Sequence, residues 1–254
     1  MVFWSCTIYQ LNPQCDRRIF EDIFTETGTS FHYDTILRED DDDLDLNLYI
    51  DTRTQNSQGT LFELAIDLLS PPFYARNKEP QRVVLTARLG LQIFNLEGWP
   101  YLVGVFASQQ NCDLFRYAMT KIYADQSGER SRVLDRVVFR LRENEECLMN
   151  RFPNMKQLAV DQINDAHIRK AVIKGESLEE SPLYEQWVLS GDSGGRVLYF
   201  GINVRGETVI LGTLGNMYSR QGSTRFPIDT VQQLVGGLLQ CRAMMYQSEI
   251  TSYT

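Results

Sequence analysis

Apolar and polar positions alternate with period two over much of this chain, and the alternation gives way at a few segments to apolar residues at helical spacing. Val2 to Leu11 reads as a strand. Asn12-Pro13 then opens a helix over Gln14 to Phe24, because Ile19, Phe20, Ile23 and Phe24 share one helical face, and Gly28 ends it. Phe31 to Leu37 and Leu44 to Asp51 read as two strands. In the second, Leu44, Leu46, Leu48 and Ile50 alternate with Asp45, Asn47, Tyr49 and Asp51, which gives it one buried face. Thr60 to Leu69 is apolar at both periods and stays open between helix and strand; Ser70-Pro71-Pro72 breaks the chain behind it.

Arg82 to Leu96 predicts a long alternating strand, or a hairpin turning near Gly90, followed by a strand over Trp99 to Ala107 and a helix over Asn111 to Tyr123. Val133 to Arg142 has the clearest alternation: Val133, Val137, Phe139 and Leu141 on one face, Arg136, Arg140 and Arg142 on the other. Phe152-Pro153 opens a helix or, preferably, a strand pair Leu158 to Ile163 and Ile168 to Ile173 turning at Asn164-Asp165. Ser181-Pro182 supplies the cap and first-turn proline of a short helix through Leu189, with Gly191 as its C-cap. Val197 to Val204 and Thr208 to Leu214 form a hairpin around Arg205-Gly206, and Phe226-Pro227 starts an amphipathic helix through Leu239.

Short turns between neighbouring strands imply antiparallel pairing, so the fold class is α+β: a mainly antiparallel mixed sheet with flanking helices. Aligning Cys15-Asp16 with Cys112-Asp113 sets Trp4 against Tyr101 and Ile8 against Val105, which raises two pseudo-repeated β–α units against chance similarity. The expected core contains Ile8, Ile23, Leu46, Leu48, Val105, Phe139, Leu141, Val197, Leu198, Ile210 and Leu234. One α+β domain over residues 1–254 is expected, with a sub-domain boundary near 70–80 as the alternative.

A composition of 43% apolar and 11% aromatic residues excludes disorder. No run approaches the roughly 18 apolar residues of a membrane helix, and Met-Val-Phe-Trp-Ser-Cys lacks a basic leader, so a cytoplasmic protein without membrane contact is expected. Cys6, Cys15, Cys112, Cys147 and Cys241 are odd in number and contain no Cys-x-x-Cys pair, which reads as five reduced thiols packed as small hydrophobes. The acidic run Glu39 to Asp43 lacks calcium-loop spacing and phosphate loops are absent, so neither a metal nor a cofactor is expected. Net charge is −8, distributed as −10 over residues 1–75, +5 over 76–142 and −3 over 143–254.

That basic island is the main candidate site: Arg130, Arg132, Arg136, Arg140 and Arg142. Guanidinium groups suit carboxylates of the same molecule or of a second subunit, and they also suit the phosphates of single-stranded nucleic acid. A different chemistry is carried by Gly191-Asp192-Ser193-Gly194-Gly195, which resembles the nucleophile loop of the chymotrypsin family of serine proteases. The resemblance implies Ser193 as nucleophile and a histidine base upstream. His32 is the better placed of the two histidines, although Arg196 stands where that family has proline. The same five residues also read as a turn, since Gly, Asp and Ser supply positive φ and side-chain-to-backbone bonds. The leading expectation is a non-enzymatic subunit or adaptor acting through protein contacts, with a protein partner or a second copy of itself. A nucleic-acid-binding module and a serine hydrolase are the alternatives.

Overall fold

The computed structural model describes residues 2–36, 43–56, 59–70, 83–94, 96, 101–163, 169–184, 186, 195–222 and 224–245. The chain forms two compact units, one of Tyr9–Asp135 and one of Met1–Ile8 with Arg136–Thr254. The alternative boundary near 70–80 falls almost wholly outside the described residues.

In the Tyr9–Asp135 unit, the end of β1 (Val2–Leu11) leads into α1 (Arg17–Ile23), β2 (Thr29–Ile36), β3 (Leu44–Asn56), β4 (Gly59–Leu69), β5 (Val84–Phe94), β6 (Leu102–Phe106), α2 (Gln109–Ser127) and β7 (Leu134–Arg136). Strands β2 to β6 pair in chain order, all antiparallel, and β1 lies beside β6. Alternation does its expected work: Leu46, Leu48 and Ile50 join Leu64, Ile66, Leu91 and Val105 in a core closed by Phe20, Ile23, Phe115 and Met119 from the helices. Both faces of β4 are covered, with Leu61, Phe62, Leu64, Ala65 and Ile66 all buried, which is why its sequence showed no single period. Strand β5 runs straight through Gly90, which faces Glu63 on one side and Phe106 on the other, so the hairpin alternative is excluded.

Helix starts follow capping chemistry. Asp16 caps α1 by accepting from the Arg18 N–H at 2.8 Å, and Ser108 caps α2 by accepting from Asn111 at 3.3 Å. Gly128 closes α2 with φ +76°, which lets its N–H return to the Ala124 carbonyl. Cys15 thus precedes the cap of α1, whereas Cys112 lies within α2; aligning the two cysteines does not bring the caps into register.

One buried carboxylate holds three strands together. Asp67 on β4 accepts from the Asn47 N–H at 3.2 Å, the Tyr49 hydroxyl at 3.0 Å and the Thr86 hydroxyl at 2.8 Å, and its own carbonyl accepts from the Tyr33 hydroxyl. Burial beside Asp67 and Asp34 raises the Tyr33 pKa well above the ordinary phenol value, so the tyrosine stays a donor. Replacing Asp67 with Ala removes the acceptor of Asn47, Tyr49 and Thr86, leaves the Tyr33 bond to the backbone carbonyl in place, and is expected to cost about 1–3 kcal/mol in urea denaturation; an unchanged midpoint would deny the carboxylate its role.

The other unit comprises the first residues of β1 with β8 (Val138–Phe139), α3 (Glu145–Arg151), β9 (Met155–Asp161), β10 (Lys170–Lys174), a 3₁₀ turn (Leu178–Glu180), α4 (Pro182–Tyr184), β11 (Arg196–Val204), β12 (Glu207–Gly212), β13 (Asn216–Gly222), α5 (Ile228–Gln240) and β14 (Met244–Met245). Its sheet order is β10-β9-β11-β12-β13-β1, and every strand pair whose register is resolved in it is antiparallel. The β11–β12 hairpin turns at Arg205 (φ +53°) and Gly206 (φ +80°), the two positive values a tight two-residue turn demands. The predicted pair before it is also present as β9 and β10; the turn between them, and most of the predicted helix after Ser181, lie outside the described residues. No described helix is long and apolar enough to cross a membrane.

Three expectations are corrected here. The stretch Val133 to Arg142 is not one strand, because its backbone changes partners: Val137 N–H bonds to Ile8, Phe139 N–H to Thr213 and Arg140 N–H to Ala243. Leu198 is not core. In β11, Val197 faces Val160 and Tyr199 faces Ala159, which leaves Leu198 as the extra residue of a β-bulge; the other ten expected core residues are buried. Finally, Cys6, Cys15 and Cys112 are buried thiols outside any disulfide, while Cys147 of α3 forms a disulfide with Cys241 at the end of α5. The two cysteines are 94 residues apart, a separation that gives sequence reading no pattern to find.

Candidate binding cleft

In the Arg136–Thr254 unit a cleft of about 1270 Å³ opens between the segment after β8, the β9–β10 end and the start of β11. Each cation in it is brought by local geometry. Arg140 and Arg142 follow β8 on either side of Leu141 and both line the cleft, while Phe139 and Leu141 are buried at 1% exposure each. Arg169 and Lys170 stand where β10 begins, and Arg196 is the first residue of β11. The bulge at Leu198 and the turn residue Leu214, 60% exposed, add apolar wall.

Two carboxylates, Glu143 and Asp161, line the same cleft. Asp161 is engaged bidentately by Arg196, at 3.0 Å from Nε and 2.7 Å from Nη2. That hydrogen-bonded guanidinium holds the Asp161 carboxyl below the usual carboxylate range, with Lys170 adding to the effect. Because the folded-state pKa is depressed, the pair is intact at neutral pH and is lost only as pH falls through that lowered value. Among the described lining residues, five cations stand beside these two carboxylates, in a protein of net charge −8. Asp161→Asn would release Arg196; it is expected to tighten binding of polyglutamate several-fold and to steepen its salt dependence, read by fluorescence anisotropy. Unchanged affinity would mean that Arg196 does not face the ligand.

The structure divides the sequence-predicted residues. Arg140 and Arg142 line this cleft, whereas Arg136 lines neither of the grooves described here. Arg130 and Arg132 belong to the other unit, in a groove of about 540 Å³ along α2 with Arg116, Lys121, Asp113 and Asp125. There Tyr117 is half-exposed, donates to Asp34 at 3.1 Å and carries the Lys121 ammonium over its ring. Arg169, Lys170 and Arg196 were missed by sequence reading; their signal was the strand pairing that puts Lys170 and Arg196 both opposite Asp161.

His32 lies on β2, its Nε2 3.1 Å from the Thr35 hydroxyl and its Nδ1 3.9 Å from Asp45. Ser193 and its neighbours Gly191, Asp192 and Gly194 lie outside the described residues, as do His167 and most of the acidic run, Glu39 to Asp42. Among the described residues no group of three or more His, Cys, Asp or Glu could hold a metal ion. The chain matches no protein-family model and no curated protein.

Proposed function

We propose that this protein works by binding, as a subunit or adaptor that receives an acidic segment of a protein partner in the cleft of its Arg136–Thr254 unit. The observation that carries the reading is the combination of Arg140, Arg142, Arg169 and Lys170 with an apolar wall in one cleft. Arginine beside exposed aliphatic surface is the composition of protein interfaces. At about 1270 Å³ the cleft exceeds the roughly 300–1,000 Å³ typical of small-molecule sites, which suits a chain segment better than a metabolite. Nucleic acid is the weaker fit here, since among the described lining residues the one aromatic ring, Phe139, is 1% exposed and offers no face on which a base could stack.

Anisotropy of labelled polyglutamate and of a labelled single-stranded oligonucleotide, each titrated with the protein, tests the reading. Polyglutamate is expected to bind in a salt-dependent way, and Arg142→Glu to weaken it roughly tenfold or more. Oligonucleotide binding that depends on Arg130 and Lys121 would instead transfer the function to the α2 groove and its Tyr117. A covalent fluorophosphonate adduct at Ser193 would replace the binding reading with a hydrolase.

A further inference from the structure

Strand β10 ends the sheet of its unit: β9 pairs with one side of it, and no described strand pairs with the other. The register fixes which backbone groups that free edge presents. Gly175 donates its N–H to the Lys156 carbonyl at 3.1 Å, and these two residues are opposite in the same register that joins Ile173 to Leu158 and Ala171 to Val160. In an antiparallel ladder bonded pairs alternate with non-bonded ones, so the N–H and C=O groups of Lys170, Val172 and Lys174 point away from β9. The side chains of the same three residues are exposed, Val172 to 50%.

We infer that the β10 edge accepts an extended acidic segment as an added strand, its acidic side chains flanking an apolar residue that packs on Val172. Strand addition supplies affinity through backbone bonds and specificity through alternate side chains. Here the specificity is charge: Lys170 and Lys174 flank Val172 on one face, so a partner strand with carboxylates at the two matching positions pairs with both. A second copy of β10 is rejected by the same residues, because antiparallel pairing centred on Val172 sets Lys170 against Lys174. Lys170 also lines the cleft, so a strand on this edge runs on toward Arg169 and Arg142. The inference rests on the acidic-segment reading above and adds to it a backbone mode of binding.

The test compares a peptide of alternating glutamate and valine with polyglutamate, on the wild-type chain and on Val172→Pro. Proline removes an N–H that points outward and leaves the β9 ladder intact, so the variant is expected to keep its circular dichroism and melting temperature. The alternating peptide is expected to bind the wild type, and to bind Val172→Pro roughly tenfold or more weakly while polyglutamate affinity stays unchanged. Hydrogen exchange on the wild type supplies an independent reading: the alternating peptide should slow the Val172 and Lys174 amides. If the alternating peptide binds both chains equally and leaves those amides unprotected, but Arg142→Glu abolishes its binding, strand addition is overturned and the cleft reading stands. Failure of both peptides to bind overturns both. A dimer of the free protein that Val172→Pro dissolves would overturn the acidic partner in favour of self-pairing.

Discussion

Replacing Phe139 with Ala is expected to destabilise the protein by about 3–5 kcal/mol, the cost of truncating a fully buried aromatic ring and leaving a cavity. Phe139 is 1% exposed, pairs with Met244 across β8 and β14, and donates its backbone N–H to Thr213 at 2.9 Å. Three separate pieces of chain therefore meet at this residue. Because Phe139 also floors the cleft, the variant should bind polyglutamate more weakly even where it remains folded. Urea denaturation gives the stability change directly. A loss below about 1 kcal/mol would place the ring outside the core.

The second large effect belongs to the Cys147–Cys241 disulfide. A cross-link across 94 residues constrains the unfolded chain by up to about 4–5 kcal/mol in the loop-entropy account, and about 2–4 kcal/mol is typical of measured bridges. Dithiothreitol, or Cys241→Ser, is expected to lower the unfolding free energy by that typical amount. Helix α3 should loosen first, because its seven residues are too few to hold a helix without tertiary support. Beyond the disulfide, its support includes α5, where Gly237 lies so close to the Phe152 ring that a side chain would collide with it. Five reactive thiols in the unfolded, unreduced protein would contradict the pairing.

Local alternation carried most of the fold. Leu46, Leu48 and Ile50 announced their strand and its buried face, and Arg205-Gly206 announced a turn, because each of these is decided by residues a few positions apart. What escaped was decided at a distance. Strand β13 reads Asn-Met-Tyr-Ser-Arg-Gln-Gly and is a strand because β12 and β1 pair with it on either side. The break in Val133 to Arg142 follows from backbone partners more than 70 residues away, Thr213 and Ala243, and the Leu198 bulge from a register slip against β9. The site shows the same division. Arg140 and Arg142 were legible as guanidinium groups opposite apolar residues, whereas Arg169, Lys170 and Arg196 reach the cleft only through the β10-β9-β11 pairing.

The most direct measurement is a hydrogen-exchange footprint of polyglutamate on the whole protein. An acidic ligand held in the cleft should protect the backbone from Arg140 to Glu143 and around Arg169 and Lys170, with no change along α2. Protection confined to α2 and the segment through Arg130 and Arg132, or no protection at saturating polyglutamate, would contradict the account.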